Sequence, residues 1–463
     1  MDFSEYNVWS FILLLSLLLG SLLLANMLKR KIGFIRKSLI PTSVLGGLIL
    51  LIVSIVYQAA TKTLGQEKTI FDLQIFGGNG SKVLEMITYH SLALGFIAST
   101  FTSSEGKMTK QRTIEIFNTG VTTVSCYLLQ GIFGLAISMI AALVMKDFFE
   151  AAGMLLPFGY GQGTGQAMNY GNIYEQDYGF EGGKSFGLAV AALGFLSASI
   201  GGVIHLNIQK KRGVIKLSDI KERALKAEEI QNENEIPMQE SIDKMTIQIA
   251  LIILAYLIAY LLMSGLGNIL PGMKSVIFGF NFLLGVLSST LIKTILNFLR
   301  KKNIVKKEYT NNFLMTRASN FFFDIMVVAG IAAIRLSILQ KFWGILLIMG
   351  VAGAVITYIY NRIVAKALFK DYVEEQFLTM YGMLTGTAST GIILLREIDG
   401  DFKSPASDNM VYQNFPAIVF GFPLMLLATL APKQPVLTLL IVIGFFVVMN
   451  IILFRSFIFK KKK

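Results

Sequence analysis

Two short stretches of the sequence combine glycine with hydroxyl and amide side chains, which bind small polar ligands through neutral donors and acceptors. The first is GYGQGTGQA at residues 159–167, and the second is YGMLTGTASTG at residues 381–391. Aligned without gaps, both read G-x-x-x-G-T, starting at Gly159 and at Gly382. Glycine gives up the most backbone freedom in a regular helix. The two stretches therefore predict a break in the backbone at matching positions.

A helix that breaks at membrane depth presents free backbone groups to a ligand. Helix N-termini favour the carboxylates of an anionic substrate, whereas freed carbonyls and threonine hydroxyls suit a small cation such as sodium. A nucleotide-binding loop is excluded, because no strand precedes the glycines and no βαβ unit surrounds them. The candidate substrate ligands are Gly161, Gln162, Gly163, Thr164, Gln166, Asn169, Gly386, Thr387, Ser389, Thr390, Arg396 and Asn414. The candidate ion ligands are Thr164, Thr385, Thr387, Asp324 and Asn409.

Two ionisable side chains lie inside apolar runs, each shortly before a glycine. His90 precedes Gly95 by five residues, and Asp324 precedes Gly330 by six residues. An ionisable residue inside a membrane span is a functional candidate by default. For His90 the alternative is a hydrogen bond to a neighbouring helix.

Arg396 has two open interpretations. It lies about 9 Å along a helix from Thr390, at about 1.5 Å per residue. It either holds a substrate carboxylate with two hydrogen bonds or extends to the cytoplasmic interface beside two acidic residues. Asn409 and Asn414 begin the following span, and we expect one of them, rather than both, to face the site.

The composition indicates a membrane protein. Of 463 residues, 54% are hydrophobic and 15% are charged, whereas soluble proteins are nearer about 25% charged. The net charge of +13 does not indicate nucleic acid, because the basic residues of a membrane protein sort to one side of the bilayer. A single cysteine, Cys126, excludes an internal disulfide. We expect no cofactor beyond a coupling ion, and no enzyme activity, because the sequence has neither an Asp-Asp-x-x-Asp nor a His-x-x-x-Asp motif.

Eleven apolar runs approach the length of about 20 residues that a helix needs to cross a bilayer. They begin near Trp9, Ile40, Leu84, Asn118, Lys184, Met245, Lys274, Ala318, Phe342, Asp408 and Val436. Of the 42 lysines and arginines, 31 fall in loops assigned to the cytoplasm and 8 in loops assigned to the outside. This positive-inside bias predicts a multi-pass protein of the plasma membrane, with its N-terminus outside and its C-terminus in the cytoplasm.

The spans divide into two halves of five, residues 1–209 and 245–430, which must have opposite orientations because five is odd. Residues 210–244 form a cytoplasmic linker, and residues 431–463 add an extra span and a basic cytoplasmic tail. Each half contains a glycine-rich re-entrant hairpin, near residues 157–170 and 378–396. The predicted fold is therefore an all-α polytopic membrane protein built from two inverted repeats. Broken segments at matching positions of inverted repeats indicate the binding site of a transporter.

These features resemble the sodium/glutamate symporter family, which is related in fold to the 2-hydroxycarboxylate transporters. The resemblance extends over nearly the whole chain and is carried by GYGQGTGQA, YGMLTGTASTG and SDNMVYQNFPAI at residues 407–418. It implies a homodimer and an elevator movement of a transport domain against a scaffold. The sequence departs from the family pattern in its eleventh span. It also departs at the start of each loop, where the family usually has paired glycines. This sequence has one glycine at each place, Gly159 in the first loop and Gly382 in the second.

We therefore expect a secondary active transporter that carries glutamate or a similar small anionic amino acid together with sodium. Its partners would be that substrate, sodium, the lipid bilayer and a second copy of the chain, with no nucleic acid. The alternatives are a transporter of a di- or hydroxycarboxylate, a membrane-embedded transferase, and a channel or sensor built on the same scaffold.

Overall fold

The computed structural model describes residues 3–63, 68–102, 109–146, 148–216, 230–231, 234–238, 241–400 and 402–458. Regular structure in these ranges is helical, apart from one bridge between Glu235 and Glu308. The longer helices are α1 (Tyr6–Lys31), α2 (Thr42–Thr63), α3 (Lys82–Phe101), α4 (Lys110–Val144), α5 (Leu155–Gln162), α6 (Thr164–Tyr178), α7 (Gly183–Lys211), α8 (Lys244–Ile269), α9 (Asn281–Lys301), α10 (Asn312–Ala332), α11 (Trp343–Leu368), α12 (Val373–Thr385), α13 (Ala388–Arg396), α14 (Ala406–Tyr412), α15 (Asn414–Leu430) and α16 (Pro435–Leu453). The prediction of an all-α protein is confirmed.

Nine helices of the described chain are long and apolar enough to cross a membrane, namely α1, α2, α4, α7, α8, α9, α10, α11 and α16. Helices α14 and α15 together give a tenth candidate, bent by 52° between them. This is the architecture of a multi-pass membrane protein. The number is lower than the eleven spans expected from the sequence. The difference lies at α3, a 20-residue helix in which Glu85, His90 and several hydroxyl side chains lower the apolar character.

The described chain forms two compact units. The first contains residues 1–82, 107–221 and 330–463, and the second contains residues 83–106 and 222–329. Each unit draws on chain from both sides of the expected linker. About half of that linker, residues 217–229, 232–233 and 239–240, lies outside the described residues, as does the basic tail at 459–463.

In the first unit, α4 is the longest helix, with 35 residues. Its buried side includes a run of small polar side chains between Asn118 and Ser125. Several of these hydroxyls donate to the carbonyl one turn earlier in their own helix, as Thr122 does to Asn118 at 2.7 Å. This bonding satisfies the hydroxyls locally and lets a polar helix face lie inside the protein.

The second unit is built from α3, α8, α9 and the larger part of α10. Its apolar core includes Ile97, Ile252, Ile292 and Met315, one from each helix. In the same unit, the Lys244 ammonium at the start of α8 is fully buried and forms a 2.7 Å ion pair with a carboxylate that precedes the helix, Glu235.

Candidate functional site

The first glycine-rich stretch contains a helix break at Gly163. Helix α5 ends at Gln162, Gly163 has φ 83° and ψ −171°, and α6 begins at Thr164. This backbone conformation is essentially restricted to glycine. The sequence therefore breaks the helix at the second glycine of the G-x-x-x-G-T motif.

The second stretch breaks at the aligned position, Gly386. Helix α12 ends at Thr385, and Thr387 is the N-cap of α13, with its hydroxyl accepting from the Thr390 amide. The φ of Gly386 is −136°, which is not left-handed. A Cβ at Gly386 would instead lie 2.8 Å from Thr390 Oγ1 and 3.2 Å from Phe195 Cδ1. Crowding, rather than a positive φ, accounts for this glycine.

Each break joins two helices that pack side by side. Across the first break, the rings of Phe158 in α5 and Tyr170 in α6 stack with centroids 3.9 Å apart. Across the second, a Cβ on Gly382 in α12 would lie 2.7 Å from the Cα of Gly391 in α13. We call these pairs the first hairpin (α5–α6) and the second hairpin (α12–α13).

A single turn of α4 contacts the end of the first arm in both hairpins. The Tyr127 hydroxyl donates to the Gly161 carbonyl at 3.0 Å, and Gln130 Nε2 donates to the Leu384 carbonyl at 2.8 Å. Gly161 and Leu384 occupy the same position in the aligned motifs. The last carbonyls of a helix have no intrahelical donor. The two α4 side chains therefore satisfy equivalent carbonyls at the two breaks.

Helix α7 contacts both hairpins through glycines. Gly187 packs on the Ala167 carbonyl of α6, and Gly194 lies between the Thr385 carbonyl and Tyr160. Further along, Gly202 packs against Leu394 of α13. A side chain at any of these glycines would overlap its neighbour, so the small residues let helices approach closely, as is common in membrane proteins.

The predicted ligands of the first hairpin are mostly buried. Thr164, Gln166 and Asn169 are no more than 4% exposed. Asn169 Nδ2 donates to Gln166 Oε1 at 3.3 Å. Gln166 Nε2, however, has no hydrogen-bond partner among the described residues. Gly161 is buried against the Tyr127 ring, and Gln162 is partly exposed.

The hydroxyls of the second hairpin differ in their surroundings. Thr385 and Thr390 are fully buried, and Thr385 Oγ1 donates to the carbonyl of Tyr381 at 2.6 Å. Thr387 Oγ1 lies 3.3 Å from Thr390 Oγ1. Ser389 is exposed. The structure therefore brings together Thr387 and Thr390 at this break, whereas Ser389 faces outward.

Arg396 and Asn414 lie at the surface of the first unit. The Arg396 guanidinium is exposed and stacks over the Phe402 ring at 5.4 Å. Burial raises the pKa of the next residue, Glu397, and the nearby Lys29 ammonium opposes that shift. Both interpretations of Arg396 therefore stay predictions.

Of the two predicted asparagines, Asn409 is the buried one. Its Oδ1 accepts from Arg112 at 2.9 Å, and its Nδ2 donates to the Tyr372 hydroxyl at 2.9 Å and to Gln376 Oε1 at 3.2 Å. Asn414 is exposed. Asn409 thus joins α14 to the start of the second hairpin and to α4, and its side-chain oxygen is bonded to a guanidinium.

Asp324 and His90 belong to the second unit. The His90 ring is exposed, and its Nδ1 forms a 2.7 Å hydrogen bond with the Tyr256 hydroxyl. A hydrogen bond to a neighbouring helix is the role that the sequence analysis gave as the alternative to a functional role for His90. Asp324 is partly buried in α10, and its role as an ion ligand stays a prediction.

A buried polar cluster that sequence reasoning missed lies at the start of the second hairpin. His205 Nε2 lies 2.8 Å from Glu374 Oε2, and Arg362 makes two hydrogen bonds to the same carboxylate at 2.7 and 2.9 Å. The His205 Nδ1 lies 2.7 Å from the Tyr358 hydroxyl. His205 and Glu374 are 169 residues apart in the chain, so their contact cannot be inferred from spacing. The cluster anchors α12 to α7 and α11.

Comparison with known proteins gives no match, either to a family model or to a curated protein.

Proposed function

We propose that the protein is a secondary active transporter that carries glutamate or a similar small anionic amino acid together with sodium. The observation that supports this most is the pair of helix breaks at Gly163 and Gly386, at matching positions of a repeated motif in one compact unit. Non-helical backbone at membrane depth is tolerated only where it is buried in protein or lines a watery cavity. Paired broken helices are the best sequence pointer to the binding site of a transporter.

The first hairpin offers donors to an anion. Helix α6 starts at Thr164, and a helix N-terminus carries a partial charge of roughly +0.5. Its first turn contains no acidic residue. Gln166, in that turn, is fully buried with an unpartnered Nε2 among the described residues. An unmade bond of this kind costs about 1–3 kcal/mol, and a substrate carboxylate would supply the missing acceptor.

The second hairpin offers hydroxyl oxygens, with Thr387 and Thr390 at its tip. Threonine oxygens and the carbonyls of interrupted helices suit sodium, so Thr164 and Thr387 stay the predicted ion ligands. The resemblance to the sodium/glutamate symporters supports a homodimer and an elevator-type alternating-access mechanism. The bias of basic residues toward the loops assigned to the cytoplasm, 31 against 8, supports an N-terminus outside and a C-terminus in the cytoplasm.

The test is uptake by the full chain in proteoliposomes, with an inward sodium gradient or with choline in place of sodium. We expect accumulation of an anionic amino acid that requires the sodium gradient. Preference for a hydroxycarboxylate over all amino acids in the panel would change the substrate class. Flux that never exceeds equilibrium would indicate a channel, and the absence of any uptake would contradict the proposal.

A variant pair localises the substrate site. Gln166→Met keeps the size of the side chain and removes the amide donor. A hydrogen bond to a charged group contributes about 1.5–3 kcal/mol, so the half-saturating substrate concentration should rise about 10- to 150-fold. Gln209→Met changes another buried glutamine of the same unit and should leave that concentration unchanged. Equal values for both variants would remove Gln166 from the site.

A further inference from the structure

A block of four buried side chains lies where α4 crosses α11. Cys126 and Gln130 are one turn apart on α4, and Thr357 and Asn361 are one turn apart on α11. Gln130 Nε2 donates to Thr357 Oγ1 at 2.8 Å, and Asn361 Nδ2 donates to the Thr357 carbonyl at 2.8 Å and approaches Cys126 Sγ at 3.6 Å. Each of the four is at most 2% exposed. They form one contiguous polar block between two candidate membrane spans.

The amide nitrogens of this block have hydrogen-bond partners, whereas the amide oxygens have none among the described residues. Both hydrogens of Gln130 Nε2 are used, one on Thr357 Oγ1 and one on the Leu384 carbonyl. Asn361 Nδ2 is bonded within its own helix. Gln130 Oε1 and Asn361 Oδ1, by contrast, are buried and accept no hydrogen bond within the described part of the chain. Two unsatisfied buried oxygens beside a threonine hydroxyl and a helix-end carbonyl call for a hydrogen-bond donor or a cation as their partner.

We propose that Gln130 and Asn361 form a monovalent cation site, with sodium as its ligand, in addition to the ion ligands predicted at the hairpin tips. The available ligands, Gln130 Oε1, Asn361 Oδ1 and Thr357 Oγ1, are all neutral oxygens, the ligand type that hard cations prefer. The block contains no carboxylate. A divalent ion would therefore be buried with twice the uncompensated charge of a monovalent ion, which is far more unfavourable.

This site would connect the ion to the second hairpin. The same Gln130 amide that offers Oε1 to the cation donates to the Leu384 carbonyl at the end of α12. A cation on Oε1 polarises the amide and strengthens its donors. One turn earlier, Tyr127 holds the Gly161 carbonyl of the first hairpin. On the proposed function, sodium at this site and the substrate at the tips would raise each other's affinity by the same factor.

The experiment measures sodium binding without substrate, so that it does not depend on the transport assay. Purified full-length protein is heated in sodium chloride or in choline chloride at constant ionic strength, and the unfolding midpoint is followed against sodium concentration. A ligand that binds only the folded state raises the midpoint. We expect Asn361→Leu to raise the half-maximal sodium concentration at least tenfold. Asn361→Asp, which adds a negative charge to the site, should lower it.

Two control variants separate the possible failures. Asn450 is a partly buried residue of α16 whose amide oxygen already accepts a hydrogen bond from the Tyr360 hydroxyl. The variant Asn450→Leu should keep the wild-type sodium response. Gln166→Met should keep the sodium response while losing affinity for substrate. The site is wrong if wild-type protein shows no sodium stabilisation, or if both Asn361 variants respond as wild type does. A half-maximal sodium concentration that rises at least tenfold in Asn361→Leu, in a protein that transports no anion, would keep the cation site and contradict the proposed function.

Discussion

The second hairpin depends on direct contact between two glycines, which makes Gly382→Ala an informative change. A Cβ at Gly382 would lie 2.7 Å from Gly391 Cα and 2.8 Å from Gly391 N. Carbon atoms in contact are normally about 3.5–4.0 Å apart. Both atoms belong to the backbone, so no side-chain rotation can relieve the overlap. Helix α13 must therefore move away from α12 by about 0.8 Å or more.

The size of the effect follows from two opposing terms. Overpacking of this kind costs about 1–3 kcal/mol, whereas alanine gains about 1 kcal/mol over glycine inside a helix. The net penalty on the closely packed hairpin is then up to about 2 kcal/mol. If the substrate binds only this packing, its apparent affinity falls in proportion to the population of that packing. A penalty of about 2 kcal/mol corresponds to a roughly 30-fold rise in the half-saturating concentration.

The assay is sodium-driven uptake at equal amounts of protein in the membrane, with Gly444→Ala as the control. Gly444 lies in α16, and a Cβ there has nothing within 4 Å, so this variant should behave as wild type. Gly391→Ala approaches the same contact from the other arm, where a Cβ would lie 2.5 Å from the Thr379 carbonyl, and should lose a similar amount. If Gly382→Ala and Gly444→Ala saturate at the same concentration, substrate binding does not depend on the close packing of this hairpin.

Three further predictions address the breaks and the topology. Gly163→Ala places a side chain on a glycine-only backbone at a cost of about 1–3 kcal/mol, so uptake should fall although the protein still inserts; unchanged uptake would show that the turn relaxes freely. Tyr127→Phe removes the donor to the Gly161 carbonyl, worth about 0.5–1.5 kcal/mol, and should raise the half-saturating concentration by up to about tenfold; no change would mean that this bond does not support the site. In a Cys126→Ala background, an impermeant thiol reagent should label Ser81→Cys in intact cells and Lys211→Cys only after permeabilisation; the reverse pattern would overturn the orientation.

Some of the predicted site residues act through their own backbone, whereas the burial of others depends on the helices packed around them. Gly163 and Gly386 end helices where the motif places the break, because a chain interruption depends on the residues at the break itself. Ser389 and Arg396 lie in the second arm of the second hairpin and Asn414 begins α15, and all three are exposed. Which face of a short helix is buried depends on the helices packed around it, and neither the motif nor the residue type contains that information.

The sequence by itself determined the class of the protein and the positions of its two helix breaks. Apolar runs and glycine spacing express local preferences of the backbone and of single helices in lipid. Only the tertiary structure decided which side chains support those breaks. Tyr127 is 34 residues from Gly161, and Gln130 is 254 residues from Leu384. The carbonyls at the ends of a broken helix need donors from outside that helix, and the folding of distant helices against one another determines which residues supply them.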